Sequence, residues 1–241
     1  MKDLSLHLMD VLENSAKAGA ARVQVSLWWE AEVFRLEVAD NGPGLPAAVA
    51  ADPTDPYRTT RTERPVGLGL ALLRATAEQT GGWLRVHSEP GKGVRLQAAF
   101  PMRHLDAKPL GDLTGALLTS ALGWPTDLVL DVGQPPERIL DLAEVRRELG
   151  GVPLSHPDIV GFLSATIAAG LAPLERQAEA VFGALGGALA TVSGAEPTRA
   201  RRPPSSAARQ AAKCRSNQAG TRTSVRTRVS AEKGSRRREK P

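Results

Sequence analysis

Two short runs of alternating residues, 22–29 and 33–39, limit what this chain can become more than any other feature. In the second run Phe34, Leu36 and Val38 alternate with Arg35, Glu37 and Ala39. That period of two is the signature of a strand with one buried and one exposed face. Only Glu30-Ala31-Glu32 separates the runs, so they predict a hairpin. The chain enters the hairpin from a predicted helix over residues 3–18, where Leu4, Leu8, Val11 and Leu12 recur at helical spacing and Gly19 suits a stop. It leaves through Asp40-Asn41-Gly42-Pro43-Gly44-Leu45-Pro46, a turn-forming cluster. A short helix is expected at 47–51, then a Thr- and Arg-rich polar loop at 52–65. A helix follows at 68–79, opened by glycines and closed by Gly81-Gly82. Residues 83–88 and 94–100 read as a second hairpin across Glu89-Pro90-Gly91-Lys92-Gly93. This order suits an α+β fold, a mixed sheet with helices on one face.

Composition narrows the class. The 241 residues are 41% hydrophobic but only 4% aromatic, so the core must rely on Leu, Val and Ala. The single cysteine, Cys214, rules out an internal disulfide framework and a Cys-rich metal site. Glycines 183, 186 and 187 interrupt the apolar stretch near residues 181–192, and the N-terminus has no long apolar region of the secretory kind. The expectation is a soluble, cytoplasmic protein without a membrane partner. Charge is unevenly placed. Residues 195–241 hold fourteen Lys/Arg against three Asp/Glu, whereas residues 1–194 carry an acidic excess. Nucleic-acid binding is therefore conceivable only through the tail, which is expected to be disordered because Arg, Ser, Thr, Ala and Pro dominate it without periodicity.

Three segments carry chemistry. On the first helix His7, Asp10, Asn14 and Lys17 lie at offsets that place them on one polar face, opposite Leu4, Leu8 and Val11. An amide oxygen suits Mg²⁺, an ammonium suits a terminal phosphate, and a carboxylate can orient a nucleophile. Asp40, at a strand end, can accept a hydrogen bond from an exocyclic amine, with Gly42 and Gly44 clearing space for a ligand. Gly67-Leu68-Gly69-Leu70 opens a helix whose first N–H groups suit phosphate. Each segment alone is also an ordinary helix surface, turn or hinge.

In this order and spacing the segments resemble the GHKL (Bergerat) ATP-binding fold shared by histidine kinases, gyrase-type ATPases and ninety-kilodalton heat-shock chaperones. The histidine-kinase branch is nearest. Glu13-Asn14-Ser15-Ala16-Lys17 resembles its N box, and Asp40-Asn41-Gly42-Pro43-Gly44 and Gly67-Leu68-Gly69-Leu70 its two glycine boxes. Asp55-Pro56-Tyr57 with Thr59-Thr60-Arg61 resembles its F box. The resemblance covers residues 1–103 and implies a two-layer α/β sandwich binding ATP and Mg²⁺. It further implies that Asn14 ligates the metal, Lys17 meets phosphate and Asp40 reads adenine. Residues Gly67, Leu68, Gly69 and Leu70 would cradle phosphates, and Thr59, Thr60 and Arg61 would form a short lid. Residues 1–153 also resemble small ATP-binding proteins that bacteria encode beside iron-only hydrogenase subunits.

The departures matter as much. None of the four histidines has the setting of a phosphoacceptor on a dimerisation helix. Val94 stands where the family often has a threonine supporting the adenine contact. Asp10 takes the place at which hydrolytic relatives carry a glutamate base, which makes it a candidate catalytic group beside Lys17. The resemblance thus leaves three functions open: kinase toward a partner protein, nucleotide-dependent binding module, or slow gyrase-like ATPase. Residues 104–180 are expected to form a small C-terminal α/β extension for a partner. It would hold a helix at 112–122, strands at 127–132 and 138–142, and helices at 143–149 and 156–169. A further helix is expected near 174–192, with 181–194 acting as helix or linker.

Overall fold

The computed structural model describes residues 1–55 and 68–192, all within the compact unit Met1–Gly194. Helix α1 (Leu4–Lys17) begins where the Asp3 side chain accepts a hydrogen bond from the Leu6 N–H, and ends where Gly19 takes φ +84°. The hairpin follows as β1 (Arg22–Glu30) and β2 (Val33–Asp40), with Val25 opposite Val38 and Leu27 opposite Leu36. The short α2 (Ala47–Ala50) comes next, and then α3 (Leu68–Gln79). The second hairpin is β3 (Trp83–Glu89) and β4 (Gly93–Pro101). After it come α4 (Leu113–Gly123), β5 (Asp127–Val132), β6 (Glu137–Asp141), α5 (Leu142–Leu149) and α6 (Pro157–Val192).

All six strands form one sheet in the order β3-β4-β2-β1-β5-β6, antiparallel except where β5 runs parallel to β1. Alternation sets its two faces. Val23, Val25, Leu27, Phe34, Leu36, Val38, Leu96 and Ala98 are buried toward one side, where they join Leu4, Leu8, Val11 and Leu12 of α1, Leu73 of α3 and Leu117 of α4. Arg22 and Gln24 point to the other side and hold Asp141 and Asp131.

The C-terminal elements are built onto the first sheet. Residues 104–180 extend the sheet and the core of residues 1–103. Strand β5 bonds to β1 from Arg22↔Asp127 to Leu27↔Val132, and Leu128, Leu130, Leu140 and Leu163 belong to the same buried cluster as Leu8 and Phe34. The expected pair of helices after residue 156 is one continuous helix, α6, with Pro173 inside it. A proline removes one helical hydrogen bond, but the buried stripe of Leu163, Ile167, Leu171, Leu174 and Ala178 runs straight past it. Gly170, inside α6, is a packing residue. A Cβ there would fall 2.4 Å from the Ile139 side chain. The Trp29 indole N–H donates to the Leu174 carbonyl, and the Gln177 amide donates to the Ala31 carbonyl, clasping the tip of the β1–β2 hairpin. By length and composition Pro157–Ala184 is also apolar enough to cross a membrane, a property missed in the sequence reading.

Candidate functional site

Between α1, β2, the 43–45 turn, the first turn of α3 and the β3–β4 hairpin lies an open cleft. Its walls are mainly apolar: Val11 and Ala18 from α1, Val38 from β2, Leu45, Leu70, Val86, Val94 and Leu96. Such walls suit a flat heteroaromatic ring, and a few fixed polar groups then set its orientation.

The central polar group is Asp40, the last residue of β2. Its Oδ1 accepts the Gly42 N–H at 2.9 Å and the Val94 N–H at 3.2 Å, and its Oδ2 accepts the Ser15 hydroxyl at 2.8 Å. Three elements far apart in sequence therefore grip one carboxylate. Their approach requires glycine. A Cβ on Gly93, at φ +93°, would fall 1.9 Å from the Asp40 carbonyl oxygen. One on Gly44, at φ +78°, would fall 2.5 Å from the Glu89 carbonyl oxygen. The Leu45 N–H donating to Ser88 Oγ and the Gly91 N–H donating to the Pro43 carbonyl close the second hairpin onto this turn.

At the other end of the cleft, Asn14 donates from Nδ2 to Asp10 Oδ2 at 3.4 Å. Asp10 is pressed against the start of α3, where a Cβ on Gly69 would fall 1.8 Å from its Oδ2. Gly69 thus admits a carboxylate from α1 to the opening turn of α3, where backbone N–H groups lack helical partners. Leu70 lines the cleft, whereas Leu68 is 52% exposed.

Of the residues singled out from the sequence, the structure brings together Asp10, Asn14, Asp40, Gly42, Gly44, Gly69 and Leu70. Lys17 is not among them. It pairs with Glu13 one turn back and has 60% of its side chain exposed, away from the cleft lining. Thr59, Thr60, Arg61, Gly67, Pro56, Tyr57 and the basic tail lie outside the described residues.

Two corrections concern α1 and its surroundings. His7 is not on an open polar face. It is 2% exposed, with Nε2 3.2 Å from Thr76 Oγ1 of α3, while its buried Nδ1 has no hydrogen-bond partner among the described residues. Burial, helped by the positive charge of Lys108, lowers its pKa to about 4. The second concerns Ser15, for which the sequence reading gives no role: its hydroxyl, and none from position 94, donates to Asp40. The one signal for it in the sequence is a hydroxyl residue directly after Asn14.

Residues 2–104 match the family model described as histidine kinase-, DNA gyrase B- and HSP90-like ATPase. Over 116 residues the chain is 33% identical to sensor kinase CckA of Brucella abortus (strain 2308), covering 48% of this chain and 12% of that protein. Over 123 residues it is 31% identical to nitrogen regulation protein NtrY of Azorhizobium caulinodans, covering 47% and 16%. The chain thus spans less than a fifth of either relative. The solved catalytic domain of histidine kinase ThkA, in a nucleotide-free form, matches at 23% identity and a TM-score of 0.33, covering 40% of this chain and 64% of that one.

Proposed function

We propose, on the premise that residues 2–104 are an ATP-binding domain of the histidine kinase-, gyrase- and HSP90-like family, that this protein binds Mg-ATP in the α1–β2–α3 cleft and phosphorylates a partner protein. The observation that carries the reading is the polarity of the cleft. A gripped carboxylate stands at one end of an apolar slot, and an amide–carboxylate pair stands at the other, against the first turn of α3. The base would lie against Val38, Val86 and Leu96, donating its amine to Asp40. The phosphates would run toward Asn14 and Gly69.

The donors at that second end suit magnesium, a hard cation that takes one or two protein oxygens and fills its shell with water and phosphate. The Asn14 amide oxygen would hold it, with the Asp10 carboxylate beside it. When bound, the ion neutralises developing charge on the triphosphate. Asp10 would accept the proton of an attacking side chain, and ATP's terminal phosphoryl group would pass to that side chain with ADP leaving. Lys17 would reach phosphate only by leaving Glu13. Thr59, Thr60, Arg61 and Gly67 retain their proposed lid and phosphate roles. A cytoplasmic setting belongs to the same proposal.

A second reading, nucleotide-dependent binding without transfer, is favoured by one observation. The segment before β5 is bonded to the floor of the Asp40 turn: Thr126 Oγ1 donates to the Ala20 carbonyl, the Asp127 N–H to the Ala21 carbonyl, and Ala20 packs beneath Gly42. A partner held by residues 104–180 would then sense the state of the cleft. Titration with Mg-ATP tests both readings. Asp40→Asn should weaken binding by about tenfold or more, the size of one charge-assisted hydrogen bond. Asn14→Ala should chiefly remove the benefit of Mg²⁺. Labelled ATP incubated with candidate acceptors separates the two. Transfer that disappears in Asn14→Ala supports the kinase, and ATP-dependent partner affinity without transfer supports the binding module. Absence of saturable ATP binding would end both.

A further inference from the structure

We infer that Ser15 determines base specificity in this cleft, by clamping the one oxygen of Asp40 that remains able to read a ligand. The inference rests on the nucleotide reading above and deepens it by naming a residue that selects the base.

The argument is one of donors and acceptors. A carboxylate offers lone pairs on two oxygens. On Asp40, Oδ1 takes two backbone N–H groups, from Gly42 and Val94. These donors are built into the turn and into β4 and do not depend on any side chain. Oδ2 is different. Among the described residues its one hydrogen bond comes from the Ser15 hydroxyl. The oxygen with capacity left for a ligand is thus held in place by a single side chain, from a helix 25 residues earlier in the chain.

Ser15 is suited to this. It is 6% exposed, on the inner side of α1, and borders the cleft beside Asn14. A helical serine commonly turns its hydroxyl back to the carbonyl one turn earlier, but this one bonds across the fold to Asp40. A hydroxyl has one proton to give, and here that proton is committed to Oδ2. The Ser15–Asp40 pair therefore shows a ligand acceptor atoms only. A purine with an amine at position 6 meets these acceptors with a donor. A purine with a carbonyl there sets oxygen against oxygen in an apolar slot, where an unmatched polar group is costly. Without Ser15, Oδ2 would have no protein donor among the described residues, and its freed lone pair could take a water that bridges to the carbonyl.

The test uses the full chain titrated with Mg-ATP and Mg-ITP, which differ in this amine and carbonyl. Wild type should prefer ATP. Ser15→Ala should narrow the ATP-to-ITP ratio by about tenfold, one charge-assisted hydrogen bond converted to affinity. In an Asp40→Asn background the same change should add nothing further, because the two residues act as one unit. If Ser15→Ala does not fold, Ser15→Cys, similar in size but a weak donor, should narrow the ratio in the same way. A folded variant that keeps the wild-type ratio, or weakens both nucleotides equally, overturns the inference and leaves the nucleotide reading intact. Wild-type protein that binds neither nucleotide overturns that reading instead.

Discussion

The two ends of the sheet solve opposite problems with similar strands. At the β3-β4-β2 end, glycines at the turns let backbone approach backbone around Asp40, and the cleft opens beside them between apolar side chains. At the β5-β6 end Gly170 makes room for the Ile139 side chain, and the strands themselves are joined by charge. Arg22 reaches Asp141 at 2.7 Å, Gln24 reaches Asp131 at 2.6 Å, and Arg138 pairs with Asp131, so charged groups tie strands together. A ligand site needs fixed polar groups beside empty space, whereas a docked strand needs every polar group paired. Yet both ends share one buried core, so the contrast is one of surface chemistry laid on a common interior.

Three measurements would break or sharpen that contrast. The largest effect is expected from Leu117→Ala, which empties a fully buried position on α4. It should cost about 2–5 kcal/mol and lower the stability of both ends together, seen as one unfolding transition by circular dichroism and tryptophan fluorescence. Two transitions, only one of them shifted, would divide the sheet into independent halves.

The next effect is pH-dependent. His7 has a folded-state pKa lowered to about 4 from 6.5, chiefly through burial. The unfolded chain therefore takes up a proton that the folded chain refuses as pH falls from about 6.5 to about 4. Its contribution to stability is complete above that window and is lost within it, by at most about 1.4 kcal/mol per pH unit. Urea midpoints measured between pH 7 and pH 4.5 should fall less steeply in His7→Gln than in wild type. Equal slopes would show that α1 and α3 part readily enough to hydrate the ring.

The smallest effect is expected from Arg22→Ala. Its side chain is 42% exposed, so the lost pair with Asp141 should cost only about 1 kcal/mol after solvent screening. Because the Arg22 N–H also donates to Asn41 Oδ1 in the turn beside Asp40, a backbone contact that the substitution retains, ATP affinity should change less than twofold. A larger loss of ATP affinity would show that the charge network itself holds the cleft in shape.

Much of the nucleotide end was legible beforehand because its elements announce themselves locally. The alternation of Phe34, Leu36 and Val38 gave β2 its inner face, and the Asp-Asn-Gly-Pro-Gly run marked where it stops. The predicted span of α3 agrees with the structure, and every strand lies within two residues of its expected bounds. Helical spacing places Lys17 on a face without deciding what it will meet. A Glu four residues earlier captured it. His7 was misread for the related reason that a face polar by composition is not thereby open to water, since α3 lies across it. Gly170 carries no local signal of its packing role, because a glycine's backbone freedom and its lack of a side chain look identical in sequence, and only the second is in use.

What the amino-acid order determined by itself was therefore short-range: helix and strand periods, turn positions, and the residue types able to hold a base and a triphosphate. Periodicity and turn chemistry act over a few neighbours and survive without knowledge of the fold. The tertiary structure alone decided that β5 and β6 would complete the first sheet, that α6 would pass through its proline, and that Ser15 would donate its hydroxyl to Asp40. Those outcomes depend on packing and hydrogen bonds between residues tens of positions apart, whose free energies exceed the local preferences they override.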